Sequence, residues 1–455
     1  MILPFNGRVV VIDDREDEGI PLLKTLSKYW VSVAYFTGKL DELPEQPFTD
    51  VRLVFLDIVL GTEGQDEKTK LSTALSIIEK VVNKEKNGPF ILIAWTKHKE
   101  LVEKMKQKLQ EEKYQIVMID LEKYNFKEED SYDISGIWEK INEKLRDIGI
   151  FKLFILWENN IHNSSSIIIN EFSKFTEFNG DWNEELTRIF FKLAESYAGE
   201  QLDRENEKEI IKNSLFVFNT VFNDTLTEKI YEQISEELDV HFESSSVSEE
   251  VKARINTRLL LDKISISTLF PGNVYKVDDD NLGSLIYDSV HADSLLNDFS
   301  ENKSMQLSEI IDGNGKIKSE YKSDWNKFIK KFREQLKIDA ISVIVEVSPL
   351  CDFIQNKMKL SRVVKGFLCP IRVQINGRVI DVYEKLRKHT NFLYITPIIE
   401  YEEKIYRLVI DFRYFSAKNE LDSATCIFRL RKEILIDVQT KLSGHVSRPG
   451  VLFIE

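Results

Sequence analysis

Hydrophobic and polar positions divide the chain into three stretches of different rhythm. Over residues 7–149, short β-prone apolar runs alternate with longer amphipathic stretches; the runs are RVVVID (residues 8–13), VSVAYF (31–36), VRLVFLD (51–57), FILIAW (90–95) and YQIVMID (114–120). Near-continuous apolar character means burial on both faces, which a parallel sheet covered by helices requires. Helices are expected between the runs, and the last is the most legible. Ile134, Ile137, Trp138, Ile141, Leu145 and Ile148 recur at helical spacing in a segment otherwise rich in Glu, Lys and Asn. Five strands and five helices predict a doubly wound α/β domain over residues 1–149, with a five-stranded parallel sheet. Ligands of such domains sit at the carboxyl ends of the strands.

From residue 150 to 263 the pattern becomes amphipathic and helical, most clearly over residues 184–197, 208–222 and 226–238. The run ESSSVSEE (243–250) interrupts it as a flexible joint, after which residues 249–263 read as one more helix with Ser248 as N-cap. Beyond residue 264 the β-prone runs return: NVYKV (273–277), ISVIVEV (341–347), GFLCPIRV (366–373), FLYITPII (392–399), KIYRLVIDF (404–412) and CIFRL (426–430). A helical insertion over residues 321–336 and an Asn-Gly hairpin signal in INGRV (375–379) complete a β-rich C-terminal domain, residues 264–455. The whole is a multidomain chain, α/β followed by α+β.

Composition narrows the function classes. With 455 residues, 42% hydrophobic positions and 28 Phe, the chain can fill two or three cores. Its 62 Lys and Arg against 76 Asp and Glu leave a net charge of −14, which repels phosphate backbones, so nucleic acid is not an expected partner. No apolar run approaches the roughly 20 residues that span a bilayer, and residues 1–8 show no secretory signal pattern. A cytoplasmic protein without a membrane partner is expected. The three cysteines, Cys351, Cys369 and Cys426, fit reduced thiols better than a disulfide framework.

Candidate chemistry gathers at the strand ends of the first domain. Asp13 and Asp14 close the first run, Asp57 closes the third, Thr96 follows the fourth and Lys123 follows the fifth. Singly, these residues make helix caps, turn residues or a solvated lysine. Together they would place three carboxylates, a hydroxyl and an ammonium at one edge. Carboxylates that close repel one another unless a hard divalent cation such as Mg²⁺ is present. One of them could then attack phosphorus while Thr96 and Lys123 stabilise the phosphoryl oxygens.

VVVIDD at the first strand, FLDIVLGTEG around Asp57, AWT at the fourth strand and LEKYNF at the fifth resemble, in that order, the receiver domain of bacterial two-component response regulators. The likeness covers about the first third of the chain. It implies a flavodoxin-like fold, Asp57 as phosphoacceptor, and Mg²⁺ held by Asp13, Asp14, Asp57 and the backbone carbonyl of Val59. It further implies Thr96 as switch hydroxyl, Lys123 as ion-pair partner of the phosphoryl group, and a histidine kinase as partner. Three positions depart from the family: Tyr124 follows the lysine where proline is usual, Asp120 stands at the aromatic switch position, and Gly61 stands where proline often follows the acceptor loop.

The remaining regions give weaker signals. No compact helix-turn-helix with a basic recognition face is legible over residues 150–263, so the expected output is protein interaction, through a second copy or a regulatory protein, or a phosphate sink. Modules with such outputs also occur in anti-phage defence. Phe151, Phe154, Trp157, Phe172, Phe175 and Phe178 read as core in preference to an interaction groove. In VSPLCDFIQNK, Cys351 and Asp352 directly follow an apolar strand, and a receiver-regulated effector enzyme would place its nucleophile there, with His291, His389 or His445 as base. Cys351 and Cys369 match no standard zinc spacing. His445 and Arg448 near the end read as a closing turn. A scaffold carrying a degenerate receiver is the third reading.

Overall fold

The computed structural model describes residues 8–29, 31–61, 64–96, 98–145, 149–176, 181–199, 202–234, 246–262, 270–278, 282–354, 357–388, 390–418 and 425–447. It divides into two compact units, Met1–Tyr197 with Leu202–Glu243, and Ala198–Gln201 with Ser244–Glu455.

In the first unit β1 (Arg8–Ile12), β2 (Val33–Phe36), β3 (Val51–Leu56), β4 (Phe90–Trp95) and β5 (Ile116–Leu121) form one sheet in the order β2-β1-β3-β4-β5, every pair parallel. This is a flavodoxin-like arrangement. Side chains alternate across the pleat. Val9, Val11, Leu53, Phe55, Ile91 and Ile93 pack with α1 (Glu16–Lys28) and α4 (Ile134–Leu145). Val10, Ile12, Val54, Leu56, Leu92 and Ala94 pack with α2 (Glu67–Val81) and α3 (Lys99–Glu111). The stripe expected from Ile134 to Leu145 is buried throughout, while Ile148 lies outside the described residues.

The expected fifth helix is not present between β2 and β3. Residues 37–50 run as an irregular connection in which Leu43 is buried and Phe48 packs against the core. Gly38, at φ +85°, together with Pro44 and Pro47 explains why no helix develops beyond the single turn at residues 39–42.

The middle region continues the first unit. Helix α5 (Gly149–Ser173) buries Phe151 and Ile155 in the core that α4 lines, and its Glu158 pairs with Arg52 of β3. The segments 208–222 and 226–234, read separately from the sequence, are joined in one helix, and residues 235–238 of the second expected segment lie outside the described residues. With α6 (Trp182–Ala198) comes α7 (Glu207–Ile234), 28 residues without glycine or proline to break it. Phe218 of α7 meets Phe172 of α5 at 4.4 Å and Phe190 of α6 at 5.0 Å between ring centroids. Phe154, Trp157 and Phe175 are exposed, and Phe178 lies outside the described residues.

The second unit is β-rich. It opens with α8 (Glu249–Leu260), where the Ser248 hydroxyl accepts from the Val251 amide at 3.3 Å, the expected cap. The sequence grouped this helix with the middle region. It packs instead on the β-rich unit, where Asn256 donates to the Ile398 carbonyl at 2.9 Å and Thr257 accepts from the Glu400 amide at 2.7 Å.

Next come β6 (Leu261–Asp262), β7 (Asn273–Lys276), α9 (Leu282–Ser289), α10 (Leu296–Asn302), α11 (Leu307–Ile310), α12 (Lys322–Asp339), β8 (Ile341–Glu346) and α13 (Leu350–Ile354). The chain continues with β9 (Ser361–Pro370), β10 (Arg372–Ile375), β11 (Arg378–Asp381), β12 (Leu393–Ile395), β13 (Ile399–Tyr401), β14 (Lys404–Lys418), β15 (Thr425–Leu430) and α14 (Lys432–Val446). The main sheet is antiparallel, β12-β14-β9-β8-β7-β15-β6, with β13 on β14. Helix α12 covers one face through Phe328 and Phe332, and α14 covers the other through Leu435 and Val438. Asn376 (φ 51°) and Gly377 (φ 82°) turn the β10–β11 hairpin with the positive angles that Asn-Gly supplies. Among the described residues, no helix is long and apolar enough to cross a membrane.

Candidate functional site: an acidic cleft at the edge of the parallel sheet

β1 has β2 on one side and β3 on the other, so its carboxyl end lies where the strand order reverses and a crevice opens. Ile12 pairs in register with Leu56, so Asp13, Asp14 and Asp57 leave the sheet side by side. Their carboxylates supply ligand atoms within 4.8 Å of one another, and among the described residues they form the cluster suited to a metal ion. A cleft of about 450 Å³ opens beside them, lined by Asp14 and Asp57 together with Val59, Thr96 and Lys123.

Each carboxylate has defined partners. Asp13 is fully buried; its Oδ1 accepts from the Arg15 amide at 3.1 Å and its Oδ2 from the Lys123 ammonium at 2.7 Å. Asp14 is exposed and accepts from the Gly61 amide at 2.8 Å. Asp57 takes the Val59 amide on Oδ1 at 3.0 Å and Lys123 on Oδ2 at 2.7 Å. Tyr35 donates to the Asp13 carbonyl at 2.8 Å. Gly19 makes room for that ring, since a Cβ there would stand 2.3 Å from it.

Lys123 is not a solvated surface lysine, because it is 4% exposed. Its third contact is Glu18 of α1 at 2.8 Å. Burial alone pulls its ammonium down, but the charges of Asp57 and Asp13 outweigh it and hold the group above the ordinary lysine range. Burial pushes the Asp13 carboxyl up to about 6, with Lys123 opposing the rise. Thr96 is buried at the end of β4, and its hydroxyl accepts from the His98 amide at 3.3 Å. Behind it, Trp95 stacks on Phe126 at 6.2 Å and meets Phe55 edge-on at 5.5 Å. Asp120 is exposed on β5, whereas Tyr124 lines the cleft with its ring more than half exposed.

Glu18 escaped the sequence reading. In DDREDE it looks like ordinary acidic charge at a helix start, and only the register of α1, beginning at Glu16, turns it toward Lys123. The site gathers Asp13, Asp57 and Glu18 around Lys123, with Arg15 on Glu18 and Asp14 beside Asp13 and Asp57, an excess of hard oxygen donors over cations in which burial raises the proton affinity of Asp13. That donor set is of the kind a hard divalent cation such as Mg²⁺ takes, and Asp13, Asp14 and Asp57 could hold one.

No protein-family model matches the chain, and neither a curated protein nor a solved structure matches it.

The second candidate site lacks such convergence. Cys351 is exposed on the five-residue α13, with its sulfur 3.7 Å from Asp352, which in turn faces Arg362 at 3.5 Å. Cys369 is buried in β9, where burial pushes its thiol well up. His291 lies beside Asp293 at 4.0 Å, the His445 ring lies 6.2 Å from that of Phe412, and His389 and Arg448 fall outside the described residues.

Proposed function

We propose that the chain is a response-regulator-like signalling protein whose N-terminal domain accepts a phosphoryl group on Asp57 from a partner histidine kinase. The observation that carries this reading is the meeting of Asp13, Asp14, Asp57 and Lys123, drawn from three strand ends, with Asp14, Asp57 and Lys123 lining one open cleft and Asp13 buried beside them. Magnesium bound to the three aspartates would neutralise their charge and that of the incoming phosphoryl oxygens. A carboxylate oxygen of Asp57 attacks phosphorus, the bond from phosphorus to the donor nitrogen breaks, and that nitrogen keeps the bonding pair. Lys123 is within reach to exchange its bond to Asp57 for one to the new phosphoryl oxygen, and Thr96 lines the same cleft. The net charge of −14 favours an output by protein interaction or a phosphate sink.

Incubation with a small acyl-phosphate donor and Mg²⁺, followed by peptide mapping in a mass spectrometer, tests the assignment. The adduct is expected on Asp57, and an Asp57→Asn protein that labels equally well contradicts it.

A further inference from the structure

Lys123 presents three N–H donors and meets three carboxylate oxygens: Asp13 at 2.7 Å, Asp57 at 2.7 Å and Glu18 at 2.8 Å. Two of these partners belong to the candidate magnesium cluster, but Glu18 stands outside it. Glu18 is 2% exposed, and its other oxygen faces Arg15 at 2.8 Å and Lys127 at 4.0 Å. Asp13 and Asp57 each spend their second oxygen on a backbone amide, from Arg15 and Val59 respectively. An ammonium that rested on those two aspartates alone would compete directly with a divalent cation for the same oxygens. The third carboxylate takes part of that charge away.

We propose that Glu18 is a positioning residue for Lys123, holding its ammonium in the triangle Asp13–Glu18–Asp57 and so leaving the aspartates available to a divalent cation. The cation part of this inference rests on the magnesium reading of the site. Glu18 acts on the cation through Lys123, and the Arg15 and Lys127 charges beside it keep the buried carboxylate compensated.

The test is a calorimetric Mg²⁺ titration of the full chain as wild type, Glu18→Gln, Glu16→Gln, Lys123→Gln and the double variant Glu18→Gln/Lys123→Gln. Glu16 is exposed on the same helical turn and controls for loss of one negative charge. Glu18→Gln is expected to weaken Mg²⁺ binding by about five- to tenfold, and Glu16→Gln by less than about twofold. In the Lys123→Gln background the Glu18 effect should fall below about twofold. Equal effects of Glu18→Gln and Glu16→Gln, or an undiminished Glu18 effect without Lys123, overturn the proposal.

Thermal unfolding checks that each variant folds. Should Glu18→Gln not fold, Glu18→Asp withdraws the carboxylate by one methylene and is expected to weaken binding about twofold, no change overturning the proposal. A metal-free readout separates this inference from the phosphoacceptor reading. The Lys123 ammonium should give a slowly exchanging ¹⁵N signal in wild type and Glu16→Gln, and lose it in Glu18→Gln. An unchanged signal in Glu18→Gln removes the clamp and leaves the phosphoacceptor reading standing. A wild type that keeps this signal but never labels on Asp57 removes the phosphoacceptor reading alone.

Discussion

Two fully buried carboxylates end central strands of the two units, and their surroundings differ in kind. Asp13 follows β1 of the parallel sheet, and Glu346 ends β8 of the antiparallel one. Burial pushes both carboxyls up. Glu346 is satisfied locally: the Ser348 amide reaches its two oxygens at 3.2 Å each, and the Ser348 hydroxyl donates to it as well. Ser348 in turn accepts from the Arg362 amide at 3.0 Å, so the group serves to close a strand end. Asp13 takes the Arg15 amide locally, but its ammonium partner Lys123 comes from far along the chain and is shared with Asp57, which lines an open cleft. A buried acid alone marks nothing. Convergence of several acids on one cation, beside space for a ligand, marks a site. Cys351 sits three residues beyond Ser348, on the side of the comparison where that convergence is missing.

The largest effect that sharpens the contrast comes from Lys123→Ala. It strips the cluster of its buried cation and is expected to lower unfolding free energy by about 4 kcal/mol in denaturant titrations without Mg²⁺. The pH dependence follows with nearly the same size. Asp13 binds its proton more tightly folded than unfolded, so its contribution to stability falls as pH rises from 3.8 to about 6 and stays low above that. The loss amounts to about 3 kcal/mol. Asp13→Asn should remove that part of the slope when unfolding is followed across the window without divalent cation. Glu346, raised in the same direction, loses stability with the same sign, and Glu346→Gln should flatten its own share independently.

Ser348→Ala comes next. It removes the hydroxyl that accepts from the Arg362 amide and donates to Glu346, at an expected cost of about 2 kcal/mol with no change in phosphoryl labelling. The smallest expected effect is that of Cys351→Ala. Unfolding midpoint and biological output should both be unchanged, and lost output with intact folding would move the chemistry to the second unit.

How much of this was legible in the sequence depends on how each residue is used. Strands buried on both faces leave unbroken apolar runs, so all five strands of the first sheet could be read, as could the strand-end positions of Asp13, Asp14, Asp57, Thr96 and Lys123. Glu18 could not, because its role depends on the helical register that carries it under Lys123. The missing helix at 37–50 hid behind a general expectation of alternation, although Pro44 and Pro47 stood against it. In the second unit α14 was missed because Ile434, Leu435, Ile436 and Val438 carry β-prone character directly after a strand. Short helices such as α9 offer too few turns for a period to show.

The most direct measurement of the central claim is the intact mass of the full chain after exposure to an acyl-phosphate donor, with and without Mg²⁺, before and after hydroxylamine. The account predicts a single phosphoryl adduct that requires Mg²⁺, is released by hydroxylamine as an acyl phosphate should be, and is absent from Asp57→Asn. An adduct that survives hydroxylamine, persists in Asp57→Asn, or never forms with Mg²⁺ present would contradict it.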